Sequence, residues 1–186
     1  LPLPVFLLPS YTTIFDAVQR LRGGSLDAVF ATRIDGSEDL NHILVWSQPL
    51  VLGVHRENPL SKKKSISVEE LCKYEILTYA ITSPANHSLE ENLPIENMSL
   101  KREYDDEITL SAMVSSDKNK MALFCYSFLV NAFEDVVCIP IKDLPIDFHK
   151  VYLISRRETH SKVVDDFISF MGAYRFPNSL ELGQIK

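Results

Sequence analysis

The segment Pro9–Phe30 constrains the fold of this chain more than any other stretch. It places four hydroxyl-bearing residues, Ser10–Thr13, before apolar residues at helical spacing, ends that run with Gly23-Gly24, and continues into the apolar segment Leu26–Ala31. Apolar residues three and four positions apart predict a helix, a glycine pair predicts its end, and a continuous apolar run predicts a buried strand. A short apolar run, Val5–Leu8, comes first, so we predict a βαβ unit and an α/β fold.

Composition and charge narrow the class of protein. The chain has 186 residues, of which 46% are hydrophobic and 24% charged, and its formal net charge is −6. That length holds one large domain or two small lobes, and the negative charge disfavours nucleic acid or an anionic membrane as the main partner of this segment. No apolar run approaches the roughly 20 residues of a membrane span. The cysteines Cys72, Cys125 and Cys138 have no metal-binding spacing and indicate reduced thiols in a cytoplasmic protein.

The rest of the chain alternates between strand and helix patterns. Apolar runs predict strands, and capping residues followed by helical spacing predict helices. The predicted strands after the first segment cover residues 43–46, 50–55, 75–79, 99–104, 121–124, 136–140 and 147–155. The predicted helices cover residues 67–73, a segment that starts at 105–106, residues 127–132, and a segment from 161 to about 174. We predict that Ala80–Met98 is weakly structured, because Pro84 and Pro94 interrupt it.

Several segments occur in an order and spacing typical of one known family. The first is a polar turn and helix leading into Leu21-Arg-Gly-Gly-Ser-Leu-Asp-Ala-Val-Phe30, where that family has a Leu-x-x-Gly-x-Leu-Asp-hydrophobic strand. The others are Pro49–Leu60, Ser67–Tyr79, Ile139–Ile141, Val151–Arg157 and Ser161–Tyr174. Each is common by itself, but together they span nearly the whole chain. The chain thus resembles the C-terminal effector-binding (regulatory) domain of LysR-type transcriptional regulators.

The resemblance implies the type 2 periplasmic-binding-protein-like fold. In that fold two α/β lobes are joined by two crossing strands, and a small effector sits between the lobes. On this interpretation lobe one covers residues 1–77 and 150–178, and lobe two covers residues 78–149. The change of composition near Ala80 agrees with a first crossing there.

The chain departs from the family pattern in two places. The family has a further strand and helix, and before those a winged helix–turn–helix, ahead of the point where this sequence starts at Leu1. We expect DNA binding only through that absent N-terminal domain. The family also has glycines where this chain has Asp117 and Asn119. Asp and Asn tolerate a positive φ better than other non-glycine residues, so we expect the turn to persist.

Polar residues after the predicted strands are the candidate effector-binding residues. Hydroxyls and backbone N–H groups at a helix start suit a small anion, although one residue suffices as a cap. A guanidinium at the carboxyl end of a strand suits a carboxylate, although an exposed loop arginine is equally common. The set is Ser10, Tyr11, Thr12, Thr13, Thr32, Arg33, Thr82, Ser83 and Tyr126, with Ser127 beside the last. Asp105 and Asp106 fit first-turn helix acids better than ligands.

These features favour a sensor over an enzyme. We interpret the chain as the effector-sensing domain of a bacterial LysR-type regulator that binds a small polar metabolite between its lobes. The resemblance also implies a homodimer or homotetramer. One alternative is a substrate-binding protein of a transport system with the same fold, and another is an enzyme built on two α/β lobes. No catalytic, phosphate-binding or dinucleotide motif is present, and the scattered histidines predict neither a metal site nor a cofactor.

Overall fold

A computed structural model of the protein describes residues 14–33, 36–157 and 161–174. The described residues divide into two compact units. The first unit lies within residues 1–46 and 150–176, and the second lies within residues 47–149. The chain therefore passes from the first unit to the second after Trp46 and returns after His149.

Helices and strands alternate through both units. The helices are α1 (Ile14–Arg22), α2 (Val68–Leu71), α3 (Pro84–Asn92), α4 (Glu107–Ser116) and α5 (Lys162–Ala173). The strands are β1 (Ala28–Ala31), β2 (Leu40–Gln48), β3 (Leu50–His55), β4 (Glu75–Tyr79), β5 (Ser99–Tyr104), β6 (Met121–Cys125), β7 (Val136–Pro140) and β8 (His149–Arg156). Short 3-10 helices cover Pro59–Lys62, Ile95–Asn97 and Phe128–Ala132.

The described residues of the first unit form a three-stranded sheet with a helix on each face. The strand order is β1-β8-β2, and β1 pairs with β8 in antiparallel register. Val18 and Leu21 of α1 pack with Leu40 and Ile154 on one face. The predicted strand Val5–Leu8, which would supply a parallel partner, lies outside the described residues. The predicted helix end is confirmed, because Gly23 N donates to Gln19 O and Gly24 has a φ of 74°.

The second unit is a mixed five-stranded sheet with the larger core. The order is β5-β4-β6-β3-β7, with β4 parallel to β5 and β6 and with β3 antiparallel to β6 and β7. Strand β3, which lies between β6 and β7, is buried from Leu50 to Val54. At its middle, a Cβ on Gly53 would overlap the ring of Phe124, which is fully buried. Glycine at this position lets the aromatic ring lie directly on the backbone of the neighbouring strand.

The prediction of weak structure over Ala80–Met98 is wrong. The segment contains α3, which starts at Pro84. Proline is favourable in the first helical turn because its absent N–H would have no partner there. Ala85 and Leu89, four residues apart, are buried in the core of the second unit together with Leu93. Apolar burial on one face therefore stabilises a helix that its polar composition concealed.

The division into units differs from the predicted lobe boundary at residue 77. Strand β3 pairs with β6 and β7, and β4 pairs with β5 and β6. Residues 47–77 therefore belong to the second unit and not to lobe one, where they were predicted. Backbone pairing between distant strands decides this, and a change in local composition does not report it. The chain returns to the first unit at residue 150.

Candidate functional site

The five-stranded sheet has one point at which its strand order reverses. The chain runs from β4 through α3 to β5 on one side of β4, and then through α4 to β6 on the other side. In open α/β sheets this reversal leaves a crevice at the carboxyl ends of the two central strands, where ligands bind. Here that crevice lies between the ends of β4 and β6, which we call the switch point. Thr82, Ser83 and Tyr126 all follow these two strands.

Side chains, and not main-chain pairs, join β4 to β6 near the switch point. The register between the two strands is a single parallel pair, Leu77 with Ala122. Beyond it, Thr78 Oγ1 donates to Leu123 O at 3.0 Å, and Cys125 N donates to Tyr79 Oη at 2.9 Å. At their carboxyl ends the two strands are thus joined by side chains. Tyr79, which is 3% exposed, and Cys125 form what we call the floor of the switch point.

The floor of the switch point is neutral and unreactive. Burial raises the pKa of Tyr79 well above its usual value and raises the pKa of the Cys125 thiol to about 12. Both groups are therefore protonated at physiological pH. A cysteine thiol of this kind is inert as a nucleophile, because only the thiolate reacts.

Ser83 sits at the start of α3 with a hydroxyl that does not cap the helix. It occupies the N-cap position, yet its side chain accepts no hydrogen bond from the first turn. Its Oγ lies 3.5 Å from Asp105 O, a long contact at the end of β5. Ser83 is buried, whereas Thr82 beside it is exposed in the turn. Pro84 has no N–H, and Ser83 N and Asn86 N donate to main-chain oxygens, so the start of α3 offers the Ala85 N–H and the Ser83 hydroxyl.

Tyr126 and Ser127 differ in what their hydroxyls do. Tyr126 is buried, and its Oη donates to Asn131 Oδ1 at 3.0 Å. Ser127 precedes the 3-10 helix Phe128–Ala132, makes no cap bond, and has a buried Oγ with no hydrogen-bond partner among the described residues. A buried hydroxyl without a partner calls for a water or a ligand group. Of the two neighbours, Ser127 is thus the better candidate for ligand contact.

Exposed apolar side chains border the switch point on both sides. Ile81, which follows β4, is 67% exposed, and Phe128 and Leu129, which follow β6, are 72% and 47% exposed. These residues were not among the predicted binding residues, because only polar groups were considered as ligand contacts. Their position directly after two central strands is the signal that identifies them. The site therefore combines hydroxyls and N–H groups with an apolar margin.

Asp105 and Asp106 lie just before α4 and not in its first turn as predicted, where the acidic residue is Glu107. Asp106 caps α4, with Oδ1 accepting from Thr109 N at 2.7 Å, and Asp105 precedes it with an exposed side chain. Asp106 is committed to the helix start and is not available as a ligand.

In the first unit, Thr32 and Arg33 follow β1 as predicted. Thr32 is half-buried and Arg33 is exposed, and within the described ranges no hydrogen bond or ion pair of Arg33 is found. Arg22 fixes the loop that follows: it pairs with Asp39 at 2.7 Å and donates to Gly36 O at 2.7 Å. Arg157 donates to Glu38 O at 2.7 Å.

The remaining candidates, Ser10, Tyr11, Thr12 and Thr13, lie outside the described residues. The described part of α1 begins at Ile14, directly after them. Among the residues that the structure describes, no group of three or more His, Cys, Asp or Glu side chains is placed to hold a metal ion. Within the same ranges, no helix is long and apolar enough to cross a bilayer.

Comparison with known proteins identifies the family. Residues 11–175 match the LysR substrate binding domain, so the chain belongs to this family of effector-sensing domains of LysR-type transcription regulators. No curated protein matches the chain by sequence. The recognition made from the sequence motifs is therefore confirmed.

Solved structures confirm the fold. The effector-binding domain of QuiR in complex with shikimate has a TM-score of 0.73 and 17% identity, over 86% of this chain and 77% of that chain. The Synechocystis PCC6803 CcmR regulatory domain in complex with 2-PG has a TM-score of 0.69 and 16% identity, over 87% and 79%. Full-length CbnR complexed with its target DNA has a TM-score of 0.72 and 15% identity, over 86% of this chain and 57% of that chain. The predicted type 2 periplasmic-binding-protein-like α/β fold is thus confirmed.

Proposed function

We propose that this domain binds a small polar metabolite at the switch point, and that binding regulates transcription. The observation that carries the proposal is the pair of serine hydroxyls at the switch point. Ser83 heads α3 without capping it, and Ser127 has a buried Oγ with no partner among the described residues. In a LysR substrate-binding domain, a buried hydroxyl without a described partner and one held only by a 3.5 Å contact to Asp105 O are suited to hold an effector.

Each unit has proposed effector contacts of its own. In the second unit they are Thr82, Ser83, Tyr126 and Ser127. In the first unit they are Thr32, Arg33 and the hydroxyls of Ser10–Thr13. The exposed Arg33 guanidinium would grip a carboxylate at two points. Binding favours one arrangement of the domain over another, and the difference in affinity for the two arrangements drives the regulation.

The test starts from the ligand itself. Native mass spectrometry of the purified chain identifies a co-purified metabolite, and shikimate and 2-PG, the ligands named for QuiR and CcmR, are the first probes in calorimetry. Arg33→Ala, Thr12→Ala, Ser83→Ala and Ser127→Ala are each expected to weaken binding about tenfold or more without unfolding the domain. Unchanged affinity in all four variants contradicts the assignment.

Two variants serve as matched controls. Arg56 follows the carboxyl end of β3, and Ser99 begins β5, so both lie at the edge of the sheet opposite the switch point. Arg56→Ala and Ser99→Ala remove the same groups as the site variants and should leave affinity unchanged. A ligand recovered chemically intact supports sensing, whereas a converted ligand supports the enzyme alternative.

DNA binding and assembly are proposed here for a polypeptide that contains this domain together with a DNA-binding domain. This chain spans 57% of full-length CbnR. We propose that it acts with a winged helix–turn–helix on the same polypeptide, as a cytoplasmic homodimer or homotetramer. The coding sequence upstream decides between this and the transport alternative: a helix–turn–helix supports the regulator, and an export signal supports the transporter. Light scattering at high concentration that finds only a monomer contradicts the proposed assembly.

A further inference from the structure

Gln48 lies where the chain enters the second unit, and its side chain contacts Tyr126, the residue that follows β6. Leu50 of β3 faces Cys125 of β6, so the next pair outward is Pro49 with Tyr126. In an antiparallel ladder, alternate pairs exchange two main-chain hydrogen bonds. One of these is present, because Tyr126 N donates to Pro49 O at 2.9 Å.

The second bond of this pair cannot come from the main chain. It requires an N–H at residue 49, and proline has none. The carboxamide of the preceding residue takes that place, since Gln48 Nε2 donates to Tyr126 O at 3.2 Å. A side chain thus completes the ladder that Pro49 interrupts.

The position of this bond gives it a functional meaning. Tyr126 O belongs to the peptide group that leads into Ser127, the residue with the buried hydroxyl at the switch point. On the opposite edge of β6, toward β4, Tyr79 Oη accepts from Cys125 N. Two side chains from distant segments therefore hold Cys125, the last residue of β6, and Tyr126, the residue that follows it.

We propose that Gln48 is a positioning residue of the candidate effector site: its carboxamide replaces the missing N–H of Pro49 and holds the Tyr126–Ser127 peptide in place. The functional part of this inference rests on the proposed function above. The replacement itself concerns only the second unit, and it is testable without any ligand. Proline at position 49 removes a donor that Gln48 restores. The effect of replacing Gln48 should therefore depend on whether residue 49 is a proline.

The experiment is a rescue cycle read by amide hydrogen exchange on the full 186-residue chain. Gln48→Met keeps the length of the side chain but removes the donor. It should speed exchange of the Tyr126 amide up to about tenfold, as expected for one lost hydrogen bond. Pro49→Ala supplies a main-chain N–H, so the double variant should return to within about twofold of the original rate. Pro49→Ala alone should leave the Tyr126 rate unchanged.

The central Leu52 amide serves as an internal control. Removing proline also loosens the unfolded chain and changes global stability, and Leu52, fully buried in β3, reports that change. Gln48→Glu is a second variant, since a carboxylate of equal size cannot donate. Unchanged Tyr126 exchange in both Gln48 variants, or a double variant as fast as Gln48→Met, overturns the inference. Failure of shikimate and 2-PG to bind weakens the proposed function and leaves this result standing.

Discussion

The hydroxyl oxygen of Tyr79 accepts a hydrogen bond of 2.9 Å from the main-chain N–H of Cys125, 46 residues later in the chain. The bond crosses from the last residue of β4 to the last residue of β6, where the two strands no longer pair. It satisfies an N–H that would otherwise be buried without a partner. It also links the end of β6 to the end of β4, which is followed by the turn that carries Ser83.

Replacing Tyr79 with phenylalanine should destabilise the domain by about 1–3 kcal/mol, because the Cys125 N–H loses its acceptor inside the core. Urea denaturation measures this change in the free energy of unfolding. Tyr126→Phe is the matched control. Its hydroxyl donates to the exposed Asn131, which water can satisfy instead, so the cost should be smaller. Equal costs for the two variants would contradict the account of Tyr79.

His149 should make the domain less stable in acid. Burial lowers its pKa from 6.5 to about 4, and its Nδ1 lies 3.3 Å from Ser88 Oγ. Between these two values the unfolded chain binds a proton that the folded chain does not, so stability falls as the pH drops from about 6.5 to about 4. His149 should account for a loss of up to about 3 kcal/mol in the free energy of unfolding. Denaturation of the wild-type chain and of His149→Gln at a series of pH values measures it.

The comparison with the variant isolates His149 from other groups. Burial also lowers the pKa of His42, with the charge of Arg33 as the next cause, and that residue contributes in the same direction. His149→Gln should reduce the pH dependence of stability, and an unchanged pH profile in that variant would show that His149 is not the group responsible.

Gly53→Ala should destabilise the domain by about 1–3 kcal/mol, since the new Cβ would overlap the Phe124 ring in a tightly packed core. Phe124→Leu removes the ring edge, so the cost of Gly53→Ala should be smaller in that background when thermal or urea unfolding is measured. Gly172→Ala in α5 is the control. Its Cβ would lie 3.8 Å from Ile43, an ordinary contact, and helical alanine should stabilise by about 0.5–1 kcal/mol. Additive effects of the Gly53 and Phe124 changes would contradict the overlap.

The bounds of strands and the capping of helices were predicted correctly where a single local sequence pattern determines the structure. The strands Leu50–His55, Glu75–Tyr79 and Ser99–Tyr104 have the predicted bounds, and Ser67 caps α2 by accepting from Glu70 N. Prediction failed for α3, where burial of Leu89 outweighs a polar composition. The turn after Asp117 persists as predicted, with Lys120 N donating to Asp117 O, but no positive φ is used: Asp117 has a φ of −149° and its Oδ1 accepts from Asn119 N.

The sequence by itself determined the family, the α/β class and the places where polar residues follow strands, because these depend on spacing along the chain. Only the tertiary structure decided that residues 47–77 join the second unit, that Ser127 has a buried hydroxyl without a described partner, and that Tyr79 and Gln48 complete the bonding of β6. The reason is physical. Strand pairing and hydrogen bonds between Tyr79 and Cys125, or between Gln48 and Tyr126, join residues far apart in the chain, and no local pattern encodes which distant partner satisfies a buried group.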